Sequence, residues 1–156
     1  MKRQAFGILA IFIFLSTEMA VASDPEAHAI LCENLSAFHG LWQDSAFGED
    51  PNRTERAAWI VRSEKTRFEF LRWPRSDARS QEIWKGTIPK NIVAQVHTHP
   101  ANVDPKPSRN DRLVAGQIRA LLYVISKGGI WVAGPDGRSH REAGPGWYKK
   151  LSSECN

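Results

Sequence analysis

With 156 residues, 42 % of them hydrophobic, the chain has enough apolar sequence for one compact domain and too little for two. Its formal net charge of +4 is mild, and the basic residues are scattered apart from Lys149-Lys150, so no nucleic-acid partner is implied. Neither of the two cysteines has a neighbour at C-x-x-C spacing, which argues against a metal role for them.

The first 22 residues differ in character from the rest. Lys2 and Arg3 precede an almost unbroken apolar run from Phe6 to Leu15, and Ala20-Val21-Ala22 offers the small-x-small pattern that signal peptidases cut. This is the anatomy of a secretory signal peptide over residues 1–22, leaving 23–156 as the mature domain. The rival is a permanent anchor, but the run is shorter than the ~20 residues a spanning helix needs. Glu18 also interrupts its far end, so no stable membrane span is expected after cleavage. Removal of Lys2, Arg3 and Glu18 lowers the net charge from +4 to +3. The expected location is exported, either periplasmic or secreted. Cys32 and Cys155 lie near the two ends of the mature part, where an oxidising compartment would pair them. Such a bridge closes nearly the whole domain into one loop, which chain entropy credits with up to ~4–5 kcal/mol. The alternative is two free buried thiols.

Residues 25–47 read as a helix or two, because Ala27, Ile30, Leu31, Leu35, Phe38, Leu41 and Trp42 recur at three- and four-residue steps. Gly48 to Asn52 is a break. Ala57 to Val61 reads as a short buried strand. Arg67 to Trp73 reads as a second, with Phe68, Phe70 and Arg72 on one face and Glu69, Leu71 and Trp73 on the other. Pro74 to Gln81 is polar and loop-like, and Ile92 to Val96 is a third strand running into His97. Ala101 to Pro107 is a loop. Ser108 then caps a helix carrying Leu113, Val114, Ile118 and Leu121. Leu122 to Ser126 and Ile130 to Ala133 form a hairpin around Lys127-Gly128-Gly129. A turn at Pro135-Asp136-Gly137 leads to a polar tail with a last short helix, Gly146 to Leu151. The order of elements predicts an α/β sandwich with a mixed or antiparallel sheet.

The chemistry lies in His97-Thr98-His99-Pro100 and Ser108-Arg109-Asn110-Asp111. Two histidines two apart at a strand end point the same way, since strand side chains have period two. Asp111, on the first turn of the next helix, supplies a third ligand if the loop folds back. Two histidines and one carboxylate leave an open position for water, as a catalytic zinc needs. Taken alone, an H-x-H is as often two polar residues at a strand end.

The set as a whole resembles the JAMM (JAB/MPN-type) motif of zinc metalloproteases and isopeptidases: an upstream Glu, then H-[S/T]-H-P, a loop, and S-x-x-D. The Asp104-Pro105-Lys106-Pro107-Ser108-Arg109-Asn110-Asp111 run is similar to the loop of the bacterial RadC branch, and the resemblance spans about Glu55 to Asp136. In the family the Glu precedes a short apolar strand after a leading helix, as Glu55 does before Ala57 to Val61. The loop from Pro100 to Pro107 is one residue longer than the family's usual one, an insertion a loop absorbs at small entropic cost.

The resemblance implies a JAB/MPN-like (cytidine-deaminase-like) mixed sheet flanked by helices. It implies one Zn2+ per chain on His97, His99 and Asp111, and amide hydrolysis by a zinc-activated water. Glu55 is then the general base and Ser108 an oxyanion donor. The expected substrate is a peptide or isopeptide, with peptidoglycan cross-links and secreted proteins the targets that the compartment suggests.

Plainer readings stand beside these. Glu55 can be a solvated surface residue, with Glu64 and Glu69 as rival bases, and Ser108 a plain helix cap. His28, His39 and His140 read as surface or structural residues. The six Trp read as packing, with Trp84 and Trp147 candidates for a substrate groove. Two other functions are open. One is a zinc peptidoglycan endopeptidase of the lysostaphin or LAS type, for which His39 and Asp44 are the only nearby extra ligands. The other is a non-catalytic JAMM-like binding or assembly module.

Overall fold

Asp24 opens the first helix by accepting the Glu26 N–H on its side chain, and Pro25 sits in the first turn, where a missing N–H costs nothing. A computed structural model describes the chain over residues 24–50, 54–65, 67–75 and 84–155. The expected signal peptide and its cleavage point lie outside these residues.

The periodic stretch from 25 to 47 divides at Asn34 into α1 (Pro25–Glu33) and α2 (Leu35–Asp44). Asn34 leaves helical geometry, and its carboxamide donates to the Ile30 carbonyl. Among the described residues six strands follow: β1 (Ala57–Arg62), β2 (Phe68–Arg72), β3 (Ile92–Thr98), β4 (Leu121–Ser126), β5 (Gly129–Ala133) and β6 (Ser139–Ala143). They form one sheet in the order β2-β1-β3-β4-β5-β6. Neighbours are antiparallel except β3 and β4, which run parallel. A parallel pair needs a crossover, and α3 (Arg109–Ile118) supplies it. The last helix is α4 (Trp147–Glu154). The chain is thus a mixed α/β protein, and among the described residues no helix is long and apolar enough to cross a membrane.

Three local expectations need correction. Leu121 is the first residue of β4, not the end of the preceding helix. Arg119 adopts a left-handed conformation and caps α3 through its N–H to the Ala115 carbonyl, which stops the helix before Leu121. The polar tail contains β6, whose sequence Ser-His-Arg-Glu-Ala shows no apolar alternation because it is an edge strand held by backbone pairing to β5. The last helix begins at Trp147 and runs on to Glu154, past Leu151.

The pleat sorts side chains between two layers. Ala58, Ile60, Ala94, Val96, Tyr123, Ile125, Ile130 and Val132 pack in one core with Ile30, Leu31, Phe38, Leu41, Trp147 and Leu151 of α1, α2 and α4. On the other face Leu122, Val124 and Ala133 pack against Ala115 of α3. The second face also carries Ala57 and Trp59, paired in register with His97 and Gln95 of β3. Cys32 in α1 and Cys155 at the end of α4 are joined by a disulfide with Cα atoms 5.2 Å apart, as expected.

Candidate metal centre

β3 places His97 on the α3 face and ends at Thr98. Thr98 points the other way and ties down the segment before β1. Its Oγ1 accepts the Arg56 N–H at 2.9 Å, and its own N–H donates to the Arg56 carbonyl at 2.9 Å. His99 lies one residue past the strand, where its N–H donates to the Ile125 carbonyl of β4 at 2.8 Å. The expected period of two therefore brings both rings to one side, with their Nε2 atoms 3.1 Å apart.

The third ligand comes from the start of α3. Ser108 is the N-cap, and its Oγ accepts the Asp111 N–H at 3.1 Å. Asp111 Oδ2 accepts the Ser108 N–H at 2.6 Å, completing a capping box. This leaves Asp111 Oδ1 3.6 Å from His97 Nε2 and Oδ2 3.7 Å from His99 Nε2. A tetrahedral ion with ~2.0–2.1 Å bonds sets its ligand atoms ~3.3 Å apart, close to these separations, so the three side chains could hold a metal ion. All three are at most 14 % exposed. His99 Nδ1 donates to the Asp104 carbonyl at 2.8 Å, which holds the ring and, once the imidazole is neutral, leaves its Nε2 as the electron-pair donor.

Burial acts on all three groups. It pushes the His97 pKa down to about 4, assisted by the charge of His99 and opposed by that of Asp111. Burial also disfavours the charged form of His99, but the nearby Asp111 carboxylate, the hydrogen bond to the Asp104 carbonyl and the charge of Glu55 outweigh it, so its pKa is raised. Burial pushes Asp111 up. The proximity of His99, the hydrogen bond from the Ser108 N–H and the charge of His97 prevail, holding the carboxyl well below its ordinary range. A neutral His97 and an ionised Asp111 are the donor states a metal requires.

Glu55 lines the same cleft as His97 and Asp111. It is carried there by Arg56, whose guanidinium donates to the Asp44 and Glu55 carbonyls and pairs with Asp50. The rival bases are elsewhere. Glu64 lines a separate depression with Arg62 and Asn91, and Glu69 is exposed on β2 opposite Val61. Ser108 is exposed and is not among the residues lining the cleft, so its observed part is to hold Asp111. Asp104 contributes its backbone carbonyl, while its carboxylate accepts the Lys106 N–H.

The remaining histidines do not join this group. His39 stacks on Tyr148 at 3.6 Å, and Asp44 pairs with Arg72. His28 and His140 both bond Glu142. His28 also comes within ligand range of Cys32 and Cys155, but their sulfurs are spent in the disulfide and are not thiolates. Trp147 is buried under the helices, whereas Trp84 packs on Trp59 and Trp73 beside the cleft.

Sequence reasoning passed over Thr98, Arg56 and the Asp104 carbonyl, because backbone partners have no side-chain signature. It also passed over Gln95, a polar residue in an otherwise apolar strand, which is a readable signal. Searches against protein-family models, curated proteins and solved structures find no match to this chain. The class that the fold and this site define is therefore a mixed α/β protein with a buried two-histidine, one-carboxylate group spaced for a metal ion.

Proposed function

We propose that the chain is an exported zinc peptidase or isopeptidase with a JAB/MPN-like fold. The observation that carries this reading is the spacing of His97 Nε2, His99 Nε2 and Asp111 at tetrahedral separation, with Glu55 in the same cleft. The H-T-H-P and S-x-x-D motifs add to it. The disulfide that ties the two ends of the domain suits an oxidising compartment.

His97, His99 and Asp111 would hold the ion, which supplies Lewis-acid polarisation and brings the pKa of a water toward ~7. Glu55 accepts a proton from the attacking water and delivers it to the leaving nitrogen. Ser108 orients Asp111, and a hydroxyl that accepts one hydrogen bond still has its own proton to donate to an oxyanion. The substrate is a peptide or isopeptide. Peptidoglycan cross-links and secreted polypeptides are the candidates that the compartment offers.

Metal analysis of the purified mature protein tests the centre. About one zinc per chain is expected, lost in His97→Ala, His99→Ala and Asp111→Ala. Full zinc occupancy in the Asp111 variant would remove it as the third ligand. Glu55→Gln should keep its zinc and lose turnover by ~10²–10⁴-fold. Zinc without turnover on any amide would favour the binding-module reading.

A further inference from the structure

The cleft beside the histidines, about 190 Å³, lies between the first turns of α3 and the β1–β3 part of the sheet. α3 packs mainly over β4 and β5, whereas the cleft is lined by Trp59 of β1, Trp73 after β2 and Gln95 of β3. Trp84 closes the group from outside, its ring centroid 6.1 Å from that of Trp59 and 5.8 Å from that of Trp73. Trp59 and Gln95 are only 3 % and 8 % exposed. Trp59 Nε1, Trp73 Nε1 and Gln95 Oε1 are all buried without a hydrogen-bond partner among the described residues. Buried polar atoms are nearly always paired, so three unpaired ones lining one cleft call for a ligand.

Their chemistry defines what would satisfy them. Two indole N–H groups require acceptor oxygens, and a carboxamide oxygen requires an N–H donor. A peptide unit carries both on one flat frame, and planar groups lie well against indole rings. We infer that Trp59, Trp73 and Gln95 form a specificity subsite, continuous with the metal centre, that seats one peptide unit flanking the scissile bond. The inference rests on the amide-hydrolase reading above.

The test is calorimetric titration of the zinc-loaded protein with hydroxamates. Acetohydroxamate presents the metal-binding head alone. Two further compounds carry one acetamide unit, on the carbonyl side in one and on the nitrogen side in the other. Each has a counterpart in which hydrocarbon replaces the amide. At least one amide arm should bind about 10-fold tighter than its counterpart, since a net hydrogen bond is worth roughly 3–10-fold. Gln95→Met nearly keeps the shape and drops the carboxamide, and Trp73→Phe drops the indole N–H together with part of the ring packed on Trp59. Each should shrink that ratio while leaving zinc content and acetohydroxamate affinity unchanged. The thermal midpoint of Gln95→Met should hold or rise, because an unpaired buried atom has gone, whereas a purely structural role would lower it. Equal binding of amide and hydrocarbon arms, or a ratio that neither variant changes, overturns the subsite. Failure of zinc or acetohydroxamate to bind overturns the metal reading and the subsite with it.

Discussion

On the side of the sheet covered by α1, α2 and α4, buried polar groups find protein partners. Tyr123 donates to the Ala27 carbonyl at 2.8 Å, Asn34 to Ile30 at 2.9 Å and Ser45 to Trp42 at 2.7 Å. On the α3 side, Trp59 Nε1, Trp73 Nε1, Gln95 Oε1 and His97 Nδ1 are buried and have none among the described residues. An unpaired buried group costs about 1–3 kcal/mol, so the second face gives up stability that the first retains. On the reading proposed above, the difference separates scaffold from site. A scaffold satisfies its own polar atoms, and a site keeps some for what it binds.

The comparison breaks if the two faces respond alike to substitution. The largest effect is expected for Phe38→Ala, which empties a fully buried position packed on Phe70 and Tyr123. It should cost about 3–5 kcal/mol in denaturant unfolding and leave zinc stoichiometry intact. Loss of zinc from the folded variant would show that the faces are coupled.

Gly48 is where coupling is expected. Its φ is +79°, and an added Cβ would lie 2.7 Å from Trp42 and 3.2 Å from the His99 carbonyl. Gly48→Ala should lose about 2–3 kcal/mol from left-handed strain and overpacking. It should also weaken zinc binding, because the His99–Ala101 segment must shift. Unchanged affinity in a chelator competition would confine the glycine's role to the scaffold.

The α3 face should also show a pH dependence that the other face lacks. Zinc binds unprotonated imidazole. His97, at about 4, has already lost its proton at neutral pH, and Asp111 stays ionised. His99, raised above the ordinary histidine range, keeps its proton longest, so zinc must displace that one. Affinity is complete well above the raised pKa and falls about tenfold per pH unit below it, roughly 1.4 kcal/mol. The fall steepens once His97 takes its proton near 4. Zinc titrations in buffers of different ionisation enthalpy measure the proton released, and an affinity flat from pH 8 to 5.5 would refute the assignment.

The smallest effect sharpens the comparison most directly. Tyr123→Phe removes a satisfied hydroxyl and should cost about 1 kcal/mol. Gln95→Met removes an unsatisfied carboxamide oxygen at nearly constant volume and should cost nothing measurable. A larger loss from Gln95→Met than from Tyr123→Phe in parallel melts would reverse the reading of the two faces.

Local pattern was enough to read β1, β3, α3 and the hairpin of β4 and β5 to within a few residues, because apolar periodicity reports backbone geometry directly. The H-T-H spacing and the S-x-x-D cap, and with them the positions of His97, His99 and Asp111, are local in the same way. So is the placing of Cys32 and Cys155 near the two ends of the domain. Other features depend on contacts between distant residues. Edge strand β6 is stabilised by backbone pairing to β5, which leaves no mark on Ser139 to Ala143. That the Asp111 carboxylate faces the histidines while that of Asp104 turns to Lys106 follows from how the loop folds. The tryptophans could be counted in the sequence, but only the register of β1 against β2 and β3 gathers Trp59 and Trp73 with Gln95 beside the histidines. Periodicity gives each side chain a face of its own element, and strand order and register then decide which faces meet.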